Sequence, residues 1–438
     1  MGSLSPGTVI TTTSGYPATI VRHLGTGGQG IVFEVEFLGE RKALKWYIPR
    51  SIRHPKKFYD NLCKNVSRGA PDSSFLWPLA ITDDAARREY GSFGYIMDLR
   101  PSEYKELSEF ILGTARFKSF RVAIEACKDM ALAFAKLHNI GYCYQDMNDG
   151  NFFINPNTGE VLICDNDNAA PNHTDTFIMG TPRYMAPEII RGESGPDSWT
   201  DRYSLAVVIF IILCMGHPLE GKRWTVPCLT PNLEKRLYGT EPLFVFDPDD
   251  AGNRPVRGVH AYVLKRWPYL PDYMQQAFQA SFSAATLTDM SRRQDRLREA
   301  DWLDVLVRFQ NEIATCPQCG NEVFVKNATD TPCDRCGTFV RVTHRLSLRD
   351  YDIAALPGAR VHRCQLAKGN ADHALDVALE VREGRRGGER VLALYNATQE
   401  TLQATTSQGQ ERHVAAGDIV PLKTGVSLTV YGGRVMIQ

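Results

Sequence analysis

The stretch that decides the fold is Tyr144–Asn168, which reads YQDMNDGNFFINPNTGEVLICDNDN. Asn151 follows Asp146 by five positions and Asp165 follows it by nineteen, with two apolar runs and an NPNTG turn between Asn151 and Asp165. Phosphoryl transfer from ATP needs a carboxylate that accepts the hydroxyl proton, together with an amide and a second carboxylate that hold magnesium. A hairpin would bring the three side chains together, so the spacing indicates phosphoryl transfer. On these residues alone a solvated turn is the better interpretation, because Asp and Asn are frequent in turns.

The composition limits the classes of protein to which the chain can belong. Its 438 residues predict about two to four domains, and 43% hydrophobic residues suffice for conventional cores, which excludes a disordered chain or a fibre. Lys plus Arg equals Asp plus Glu at 50 each, so no global field would attract nucleic acid or anionic lipid. We therefore expect neither nucleic acid nor a membrane as a partner.

The hydrophobic and cysteine patterns predict a cytoplasmic protein. The longest apolar run, Leu205 to Met215, has 11 residues, whereas a bilayer crossing needs about 20, so we expect a buried helix. No apolar signal core is visible, and Pro6 stands where a myristoylation motif wants Ser or Thr. Of 11 cysteines, four form CxxC units and the others lie in apolar contexts, as expected of reduced thiols and one metal site.

A glycine-rich turn near the start of the chain is a candidate phosphate-binding loop. From Ala18 to Trp46 the alternation of strands and turns predicts a small antiparallel sheet. Its first turn reads GTGGQGIV from Gly25, and the absent side chains would let backbone N–H groups close over phosphates. The sequence KALK then places Lys45 fifteen residues after Gly30, on a strand. Taken alone, the turn fits a simple hairpin and Lys45 fits a solvent-facing strand residue.

Together, these motifs resemble those of the protein kinase superfamily. The catalytic-loop pattern HRDLxxxN matches YQDMNDGN, the DFG aspartate matches Asp165, GxGxxGxV matches GTGGQGIV, and VAIK matches KALK. GTPRYMAPEII contains the APE motif as Ala186, Pro187 and Glu188, which is the most specific match in the chain. Four features in the family's order, namely the glycine-rich turn, KALK, the catalytic loop with Asp165, and APE, imply an α+β chain with a bilobal protein kinase fold and serine/threonine specificity.

The resemblance implies a catalytic role for four residues. Asp146 would act as the base, Lys45 would orient ATP, and Asn151 and Asp165 would hold Mg²⁺. The residues implied to bind the nucleotide are Gly25, Gly27, Gly28, Gly30, Val32, Ala43, Lys45, Met97, Leu99 and Phe153. Met97 stands at the gatekeeper position before the hinge, although it fits an ordinary core residue equally well.

Two further matches imply structural roles. Asp201 stands where the family's aspartate begins the central helix and tethers the backbone of the catalytic loop. Arg296, in RLREADWLDVL, stands where the family's arginine pairs with the APE glutamate, which is Glu188 here. Such a buried pair organises a lobe more surely than it stabilises it.

The sequence departs from the kinase pattern at several positions around the site. These positions are Tyr144 and Gln145 for the His and Arg of HRD, Asn148 for the lysine that follows, and Asn166 and Asp167 for the Phe and Gly of DFG. Two hypotheses therefore stay open. The favoured one is an active, magnesium-dependent kinase of the non-RD type, because the base and the metal ligands are all present. The other is a pseudokinase that holds nucleotide and partners as a scaffold.

The glutamate that positions the lysine in kinases is absent from this chain. No Glu occurs between Lys45 and Glu89. The predicted helix PKKFYDNLCKNVSRG places Asn61 at the glutamate position, with Asp60 beside it. Either Asn61 hydrogen-bonds Lys45 as a neutral substitute or Asp60 turns inward, and Asn61 is the favoured partner.

Two CxxC knuckles form a candidate metal site. Their cysteines are Cys316, Cys319, Cys333 and Cys336, with 13 residues between the knuckles counted from Gly320 to Pro332. This spacing is that of a zinc ribbon, and four thiolates with no open position predict a structural Zn²⁺. The EVFVK and TFVRV segments are expected to pair as strands. A redox pair or an iron centre is the alternative.

The rest of the chain predicts docking functions. From Arg360 onward, short alternating segments with Gly-containing turns predict an all-β module. Its last segments resemble half of a forkhead-associated sandwich, but the residues that grip phosphothreonine there are absent, which favours a sandwich used for docking. Residues 218–272 resemble bacterial kinases of TerY-type triads. That resemblance implies a von Willebrand-type protein and a metal-dependent phosphatase as partners beside protein substrates.

The motifs divide the chain into consecutive segments. The predicted boundaries are 1–15 for a flexible N-terminus, 16–312 for the kinase domain with a small lobe at 16–99 and a large lobe at 100–312, 313–345 for the zinc ribbon, 346–359 for a linker and 360–438 for the all-β module. This division assigns catalysis to the kinase domain and leaves the last two domains without a predicted catalytic residue.

Overall fold

The computed structural model describes residues 4–49, 52, 54–174, 180–367, 371–386 and 389–438. The chain forms two compact units. The first comprises Met1–Phe117, Lys136–Leu264 and Gln279–Arg296, and the second comprises Lys118–Ala135, Lys265–Phe278 and Leu297–Gln438. In the described part of the chain, no helix has the length and apolar character that a membrane crossing requires.

The first unit begins with a six-stranded antiparallel sheet. Its strands are β1 (Val9–Thr11), β2 (Pro17–Thr26), β3 (Gly30–Phe37), β4 (Glu40–Tyr47), β5 (Ala80–Ile81) and β6 (Gly94–Asp98), in the spatial order β1-β2-β3-β4-β6-β5. Phe33, Val35 and Phe37 alternate along β3 and are buried, as the period of a strand requires. The predicted sheet is therefore confirmed.

The N-terminal segment 1–15 was expected to be flexible, but it supplies the edge strand of this sheet. β1 pairs with β2, with Ile10 opposite Ala18. The Ile10 side chain is buried in the same apolar cluster as Ile20. Two apolar residues of the segment, Leu4 and Ile10, pack against this cluster, and the edge of β2 offers unpaired backbone groups to the segment.

Two helices follow in the small lobe, α1 (Pro55–Arg68) and α2 (Asp84–Tyr90). Helix α1 starts with a proline, whose missing N–H costs nothing in the first turn. Its buried residues are Phe58, Asn61, Leu62 and Asn65, which recur at intervals of three and four and so share one face. Two amides therefore lie in the middle of an otherwise apolar helix face.

The larger part of the first unit is mainly helical. Its elements are β7 (Lys105–Glu106), α3 (Leu107–Ile111), α4 (Phe120–Asn139), β8 (Tyr142–Cys143), β9 (Phe152–Ile154), β10 (Val161–Ile163), β11 (Ala170–Pro171), α5 (Pro187–Arg191), α6 (Ser198–Cys214), α7 (Pro231–Lys235), α8 (Ala261–Arg266), α9 (Asp272–Ser281) and α10 (Ala284–Thr288). Helices α4, α8 and α9 each contribute residues to both units. Every residue of α6 from 203 to 214 is buried, so α6 is the predicted buried helix.

The second unit contains one long helix followed by short strands. In addition to its shares of the earlier helices, it contains α11 (Glu299–Asn311), β12 (Ile313–Thr315), β13 (Glu322–Phe324), β14 (Thr331–Pro332), β15 (Phe339–Val340), β16 (Arg345–Ser347), β17 (Asp352–Ala354), β18 (Arg360–His362), α12 (Arg363–Leu366), β19 (Val377–Arg386), β20 (Glu389–Asn396), β21 (Leu402–Thr405), β22 (Glu411–Val414), β23 (Ile419–Pro421), β24 (Ser427–Val430) and β25 (Gly433–Ile437). The cysteine knuckles lie between β12 and β15, and the all-β module follows.

The strands around the cysteine knuckles pair differently from the expectation. The predicted pairing of EVFVK with TFVRV is wrong, because β13 pairs with β12 and β15 pairs with β14. In these pairs Ala314 lies opposite Val323, and Thr331 lies opposite Val340. Each CxxC turn reverses the chain, so the nearest partner of the strand that leaves the turn is the strand that enters it.

The C-terminal module consists of two antiparallel sheets around one apolar core. One sheet has the order β17-β16-β25-β24-β21-β22 and the other has the order β18-β19-β20-β23. The core contains Leu346 and Leu428 from the first sheet and Val361, Leu379 and Leu394 from the second. The prediction of an all-β region is therefore confirmed.

The segment 346–359, expected to be a linker, is part of this module. Strand β16 pairs with both β17 and β25, with Leu346 opposite Ile437. Leu346 is fully buried in the core. The segment was mistaken for a linker because its strands are only three residues long and are separated by polar turns.

A buried ion pair joins Arg296, the last residue of the first unit, to Glu188 of α5. Arg296 donates through Nη1 to Glu188 Oε1 at 2.7 Å and through Nη2 to Oε2 at 2.8 Å, and each side chain is only 1% exposed. Arg296 also donates to the carbonyls of Trp199 and Thr286. The predicted pair is thus present in bidentate form, with additional acceptors that offset the desolvation of the guanidinium.

Replacing one partner should therefore destabilise this unit strongly. We expect Arg296→Met to lower the free energy of unfolding by about 3–5 kcal/mol, because it leaves the Glu188 carboxylate buried without a counter-charge. Urea denaturation followed by tryptophan fluorescence measures the loss. The matched control is Arg292→Met, since the Arg292–Asp295 pair is exposed at 57% and 40% and should contribute little. Equal losses for the two variants would contradict the assigned role of the buried pair.

Candidate active site

The β9–β10 hairpin brings the predicted catalytic residues to one place. Phe152 lies opposite Ile163 at the open end of the hairpin. Just beyond this end, the N–H of Cys164 donates to the carbonyl of Asn151 at 3.0 Å. The residues on either side of the open end, Asn151 and Asp165, are therefore neighbours, as the spacing predicts.

Asp201 holds the backbone of the loop that precedes this hairpin. Its carboxylate accepts from the N–H of Tyr144 at 2.6 Å and from the N–H of Gln145 at 3.2 Å. The ring of His138 lies 3.0 Å from the same carboxylate. Gln145 has a φ of 76°, an uncommon conformation for a residue with a side chain, and these hydrogen bonds help to hold it. The predicted tether is therefore present.

The Asp146 carboxyl group is arranged as a proton acceptor. Its Oδ1 atom is buried and has no hydrogen-bond partner among the described residues. The pKa of Asp146 is raised to about 6, chiefly by burial and also by the nearby Asp165 carboxylate, against the opposing effects of Asn148, the Thr181 backbone and Lys45. A carboxylate with a raised pKa is a better base than an ordinary one and is still ionised at neutral pH.

The loop between Asp146 and Asn151 is stabilised by its own amides. Asn151 Nδ2 donates to the carbonyl of Asp146 at 2.9 Å. Asn148 Nδ2 donates to the same carbonyl at 3.3 Å, and Asn148 Oδ1 accepts from the N–H of Gly150 at 2.9 Å. Asn148, which stands in place of the kinase lysine, therefore uses its side chain to hydrogen-bond the backbone of the loop.

Lys45 is a buried cation. Strand β4 places it between Val32 of β3 and Tyr95 of β6. Its Nζ atom lies 3.0 Å from Asp165 Oδ1 and 3.1 Å from Asp167 Oδ2, and its side chain is 5% exposed. Burial lowers the pKa of Lys45, but the attraction of Asp165 and Asp167 outweighs burial and raises the pKa above its usual value. Lys45 is therefore fully protonated at neutral pH.

The expectation that Asn61 binds Lys45 is wrong. Asn61 Nδ2 donates to the carbonyl of Ala169 at 2.9 Å and to that of Asp167 at 3.4 Å, whereas Asp60 is exposed on the other side of α1. A buried ammonium group is stabilised more by a carboxylate than by a neutral amide, and Asp167 supplies that carboxylate. Asn61 instead satisfies carbonyl groups of a tight turn.

Asp167 is a buried carboxylate of this site that sequence reasoning did not select. Its side chain is completely buried and accepts from Tyr47 Oη at 2.5 Å, from Tyr95 Oη at 3.1 Å and from Lys45 Nζ. Burial, and then the Asp167 carboxylate, raise the pKa of both tyrosines well above the usual value, so both hydroxyls remain donors. The signal in the sequence was the second carboxylate of DND, two positions after Asp165.

Asp165 is the more accessible of the two carboxylates. Its side chain is 35% exposed, and its backbone has a φ of 54° and a ψ of 37°, the left-handed conformation. A short 3-10 turn, Asn166–Asn168, follows directly and carries Asp167 into the interior. Both acidic side chains thus contact Lys45, but only that of Asp165 is also accessible from outside.

The donor atoms near Asp165 fit a magnesium ion. Asn151 uses its amide nitrogen to hold the Asp146 carbonyl, which leaves the amide oxygen as a ligand. The partly exposed Asp165 carboxylate supplies further oxygens. Oxygen ligands of this kind are those that Mg²⁺ prefers. Asn151 and Asp165 are therefore the residues that would hold the ion.

The glycine-rich turn joins β2 to β3. Gly27 N–H donates to the Gly30 carbonyl at 2.8 Å, and none of the four glycines has a positive φ. At Gly30 a Cβ would lie 2.9 Å from the Trp46 carbonyl oxygen, so the strand approach requires a glycine there. At Gly25 and Gly28 a Cβ would meet nothing within 4 Å. These two glycines leave space beside the turn, which fits a backbone cradle for phosphates.

Four of the predicted nucleotide-binding residues lie in one apolar cluster. Val32, Ala43, Met97 and Leu99 share this cluster, and Ala43 lies directly opposite Met97 in the sheet. Leu162 of β10 belongs to the same cluster, although sequence reasoning did not select it. The faces of a flat aromatic ring such as adenine fit a surface of this composition.

Phe153 lies on the strand next to Leu162. The two residues are direct cross-strand neighbours in the β9–β10 pair. The guanidinium of Arg100 lies 4.2 Å from the centre of the Phe153 ring. The ring is therefore covered by a cation on one side, and its role toward a nucleotide remains a prediction.

The four cysteines of the knuckles converge in the second unit. The Sγ atoms of Cys316, Cys319, Cys333 and Cys336 all lie within 4.8 Å of one another. Two of the separations are 3.5 Å, from Cys316 to Cys336, and 3.6 Å, from Cys319 to Cys333. Tetrahedral zinc with Zn–S bonds of about 2.3 Å would place its sulfurs at similar separations. The cluster therefore fits a four-thiolate metal site.

Comparisons with known proteins bear on the region around Asp146. Residues 95–228 match the family model described as the protein kinase domain. The chain is 28% identical over 237 residues to Ribosomal protein S6 kinase alpha-4 of Homo sapiens, over 51% of this chain and 29% of that protein. It is 35% identical over 212 residues to Probable serine/threonine-protein kinase CCRP1 of Zea mays, over 45% of this chain and 32% of that protein. The chain thus spans about a third of the length of these curated relatives.

A similar solved structure is the kinase domain of PknI from Mycobacterium tuberculosis, crystallised as a double mutant. The two chains are 18% identical, with a TM-score of 0.45. The similarity covers 70% of this chain and 98% of the PknI chain.

Proposed function

We propose that this chain is an ATP- and magnesium-dependent protein kinase, a proposal supported by the match of residues 95–228 to the protein kinase domain. It transfers the γ-phosphoryl group to serine or threonine residues of protein substrates. The observation that carries this proposal is the Asp146 carboxyl group, whose Oδ1 atom is buried without a partner among the described residues and whose pKa is raised to about 6. An acidic group in that state is suited to proton transfer and contributes nothing obvious to stability.

Each residue of the site has a defined task in this reaction. Asp146 accepts the proton of the substrate hydroxyl as that oxygen attacks the γ-phosphorus atom, and the bond from this phosphorus to the bridging oxygen breaks, so that ADP leaves. Lys45 binds the α- and β-phosphates through its ammonium group. Asn151 and Asp165 hold Mg²⁺, which neutralises the charge on the phosphates when it is bound. The glycine-rich turn covers the phosphates with backbone N–H groups, and the apolar cluster around Ala43 holds the adenine.

A nucleotide-binding scaffold without transferase activity is the second candidate. It is favoured by Asn148, which stands in place of the lysine that contacts the γ-phosphate and which is occupied with the loop backbone. Losing that contact removes neither the base nor the metal ligands. We therefore prefer the enzyme.

The second unit serves docking in this proposal. Its ribbon binds one structural Zn²⁺ through Cys316, Cys319, Cys333 and Cys336, which supports the short hairpins around it. Its β-module, which resembles half of a forkhead-associated sandwich, binds partner proteins. The partners suggested by the resemblance to TerY-type bacterial kinases are a von Willebrand-type protein and a metal-dependent phosphatase.

Two substitutions separate the enzyme from the scaffold. Asp146→Asn should lower turnover by roughly 100-fold or more and leave nucleotide affinity nearly intact, since a positioned base contributes only to transfer. Asp165→Asn should weaken magnesium-nucleotide binding and abolish transfer together, because it removes a charge from the metal site. Calorimetric nucleotide titration beside a phosphotransfer assay with generic protein substrates measures both effects.

The control for this experiment is Glu160→Gln on the same hairpin. Glu160 is exposed at the turn, where it contacts Tyr104 and Thr158. Its substitution should leave both the turnover and the nucleotide affinity unchanged. Transfer by the wild type that does not exceed transfer by Asp146→Asn would refute the enzyme and leave the scaffold.

The purified protein should carry one zinc per chain. Four convergent thiolates contribute folding free energy on the order of 10 kcal/mol to a ribbon of this kind. Cys333→Ser should therefore release the metal, whereas Cys228→Ser, at an exposed cysteine of the first unit, should not. Elemental analysis of freshly purified protein measures the content, and wild type without metal would contradict the assignment.

Activity should not depend on phosphorylation between His173 and Met179. Gln145 replaces the arginine that normally binds an activation-loop phosphate, and its Nε2 atom instead donates to the Thr174 carbonyl at 2.9 Å. Thr174→Ala combined with Thr176→Ala should keep wild-type turnover, although Thr176 lies outside the described residues. Loss of activity by this double variant, with circular dichroism unchanged, would show that a phosphate is needed.

A further inference from the structure

Asp167 is a buried carboxylate for which the reaction has no direct use. It lies 122 residues from Lys45 in the sequence, yet its two oxygens lie 3.1 and 3.3 Å from Lys45 Nζ. Its side chain is 0% exposed, so it cannot reach a nucleotide, a metal ion or a protein substrate. A charge buried this completely requires partners, and those that it has are Lys45 and the hydroxyls of Tyr47 and Tyr95.

We propose that Asp167 is the residue that positions Lys45 for the phosphates of ATP, a task for which this chain has no helix glutamate. The inference rests on the proposed function only in taking the nucleotide to lie beside Lys45. Asp167 is a positioning residue, because it acts on the ligand through the ammonium group of Lys45.

The other carboxylate at Lys45 is a poorer candidate for this task. Asp165 is 35% exposed and is the residue that would hold magnesium, so its oxygens are required elsewhere during the reaction. Asp167 is fully buried and is therefore not available as a metal ligand. Its hydrogen bonds from Tyr47 and Tyr95 fix its orientation as well as its position, since each donor belongs to a strand of the same sheet as Lys45.

Helix α1 contributes to this arrangement by holding the backbone that carries Asp167. Asn61 donates to the Ala169 and Asp167 carbonyls, and Asn65 donates to the Ala169 carbonyl at 2.8 Å and to the Asn166 carbonyl at 3.2 Å. In kinases the corresponding helix supplies the carboxylate itself. Here the helix holds the turn, and the turn supplies the carboxylate.

One consequence distinguishes this arrangement from the usual one. The residue that would bind magnesium and the residue that positions the lysine are separated by a single residue, Asn166, in one short turn. The turn cannot leave its position without withdrawing both groups. A displacement of the turn should therefore remove the carboxylate that positions Lys45 and the carboxylate that would bind magnesium at the same time.

The proposal is tested by the ratio of ATP affinity to adenosine affinity. Adenosine lacks the phosphates, so the ratio reports all contacts made by the phosphates and excludes those made by the adenine. Substitution of Lys45 or Asp167 then isolates the share of these contacts that depends on Lys45. We expect Lys45→Met and Asp167→Asn each to lower this ratio by about tenfold, the effect of losing one hydrogen bond to a charged group. Calorimetric titration of the full chain with ATP and with adenosine, in buffer containing magnesium chloride, gives both affinities.

The double variant decides between positioning and general structure. If Asp167 acts through Lys45, the combination of both substitutions should lower the ratio by about tenfold, as either alone does. Independent effects would multiply to about 100-fold, and that result would overturn the proposal. An unchanged ratio in Asp167→Asn would overturn it as well, including the case in which the affinities for ATP and for adenosine fall by the same factor.

A milder variant and a matched control protect the test against misfolding. Tyr47→Phe keeps the ring and removes one hydrogen bond to Asp167, so the ratio should fall by about threefold. If Asp167→Asn fails to fold, an unchanged ratio in Tyr47→Phe overturns the proposal. Asp72→Asn removes the carboxylate of another lysine pair, in which Lys136 Nζ lies at 2.6 Å, and should leave the ratio unchanged.

Phosphotransfer is measured separately on the wild type. An inactive wild type would refute the proposed function, while the affinity ratios would still report whether Asp167 positions Lys45. An active wild type with the wrong ratios would refute only the positioning role.

Discussion

The buried ammonium group of Lys45 is the constraint on which the candidate site depends. An unpaired charge in the interior is costly, and a lysine with 5% of its side chain exposed must therefore be surrounded by acceptors. The chain supplies two carboxylates, Asp165 and Asp167, from a turn more than one hundred residues away. The pairing of this one cation thus fixes the position of that turn against the small sheet. The position of the turn then fixes where the segment after the β9–β10 hairpin begins.

A second set of contacts makes the same turn a junction between three parts of the first unit. Asn61 and Asn65 of α1 bind its carbonyl groups, Tyr47 and Tyr95 of the sheet bind its buried carboxylate, and the β9–β10 hairpin leads into it. Neutral amides suit the helix positions, because carbonyl groups need donors and the acidic side chain is already present in the turn. The absence of a glutamate from α1 is consistent with this arrangement, because a third carboxylate at Lys45 would be repelled by Asp165 and Asp167 in an interior of low dielectric constant.

The parts of the structure that could be predicted from the sequence depend on short spacings or on motifs. The hairpin between Asn151 and Asp165, the tether by Asp201 and the Glu188–Arg296 pair are of this kind, and the structure contains all three. The partner of Lys45 was mistaken because it is chosen by burial among carboxylates distant in sequence, which no spacing reveals. The pairing within the cysteine knuckles was mistaken because either strand order satisfies the same alternation of residues. Strand β1 and the strands of 346–359 were missed because their few apolar residues stand among polar ones, and only tertiary pairing makes them strands.

The pair of Glu188 with Arg296 has a consequence for the order in which the chain folds. The two residues are 108 positions apart, and Arg296 is among the last residues of the first unit. During synthesis the Glu188 carboxylate lacks this partner until Arg296 leaves the ribosome, which at about 5–20 residues per second takes roughly 5 to 20 seconds. Helix α5, which carries Glu188, therefore gains its buried partner only after the sheet and the β9–β10 hairpin have been synthesised. A nascent chain that stops before Arg296 would contain the predicted catalytic residues but would lack the counter-charge that allows the Glu188 carboxylate to be buried.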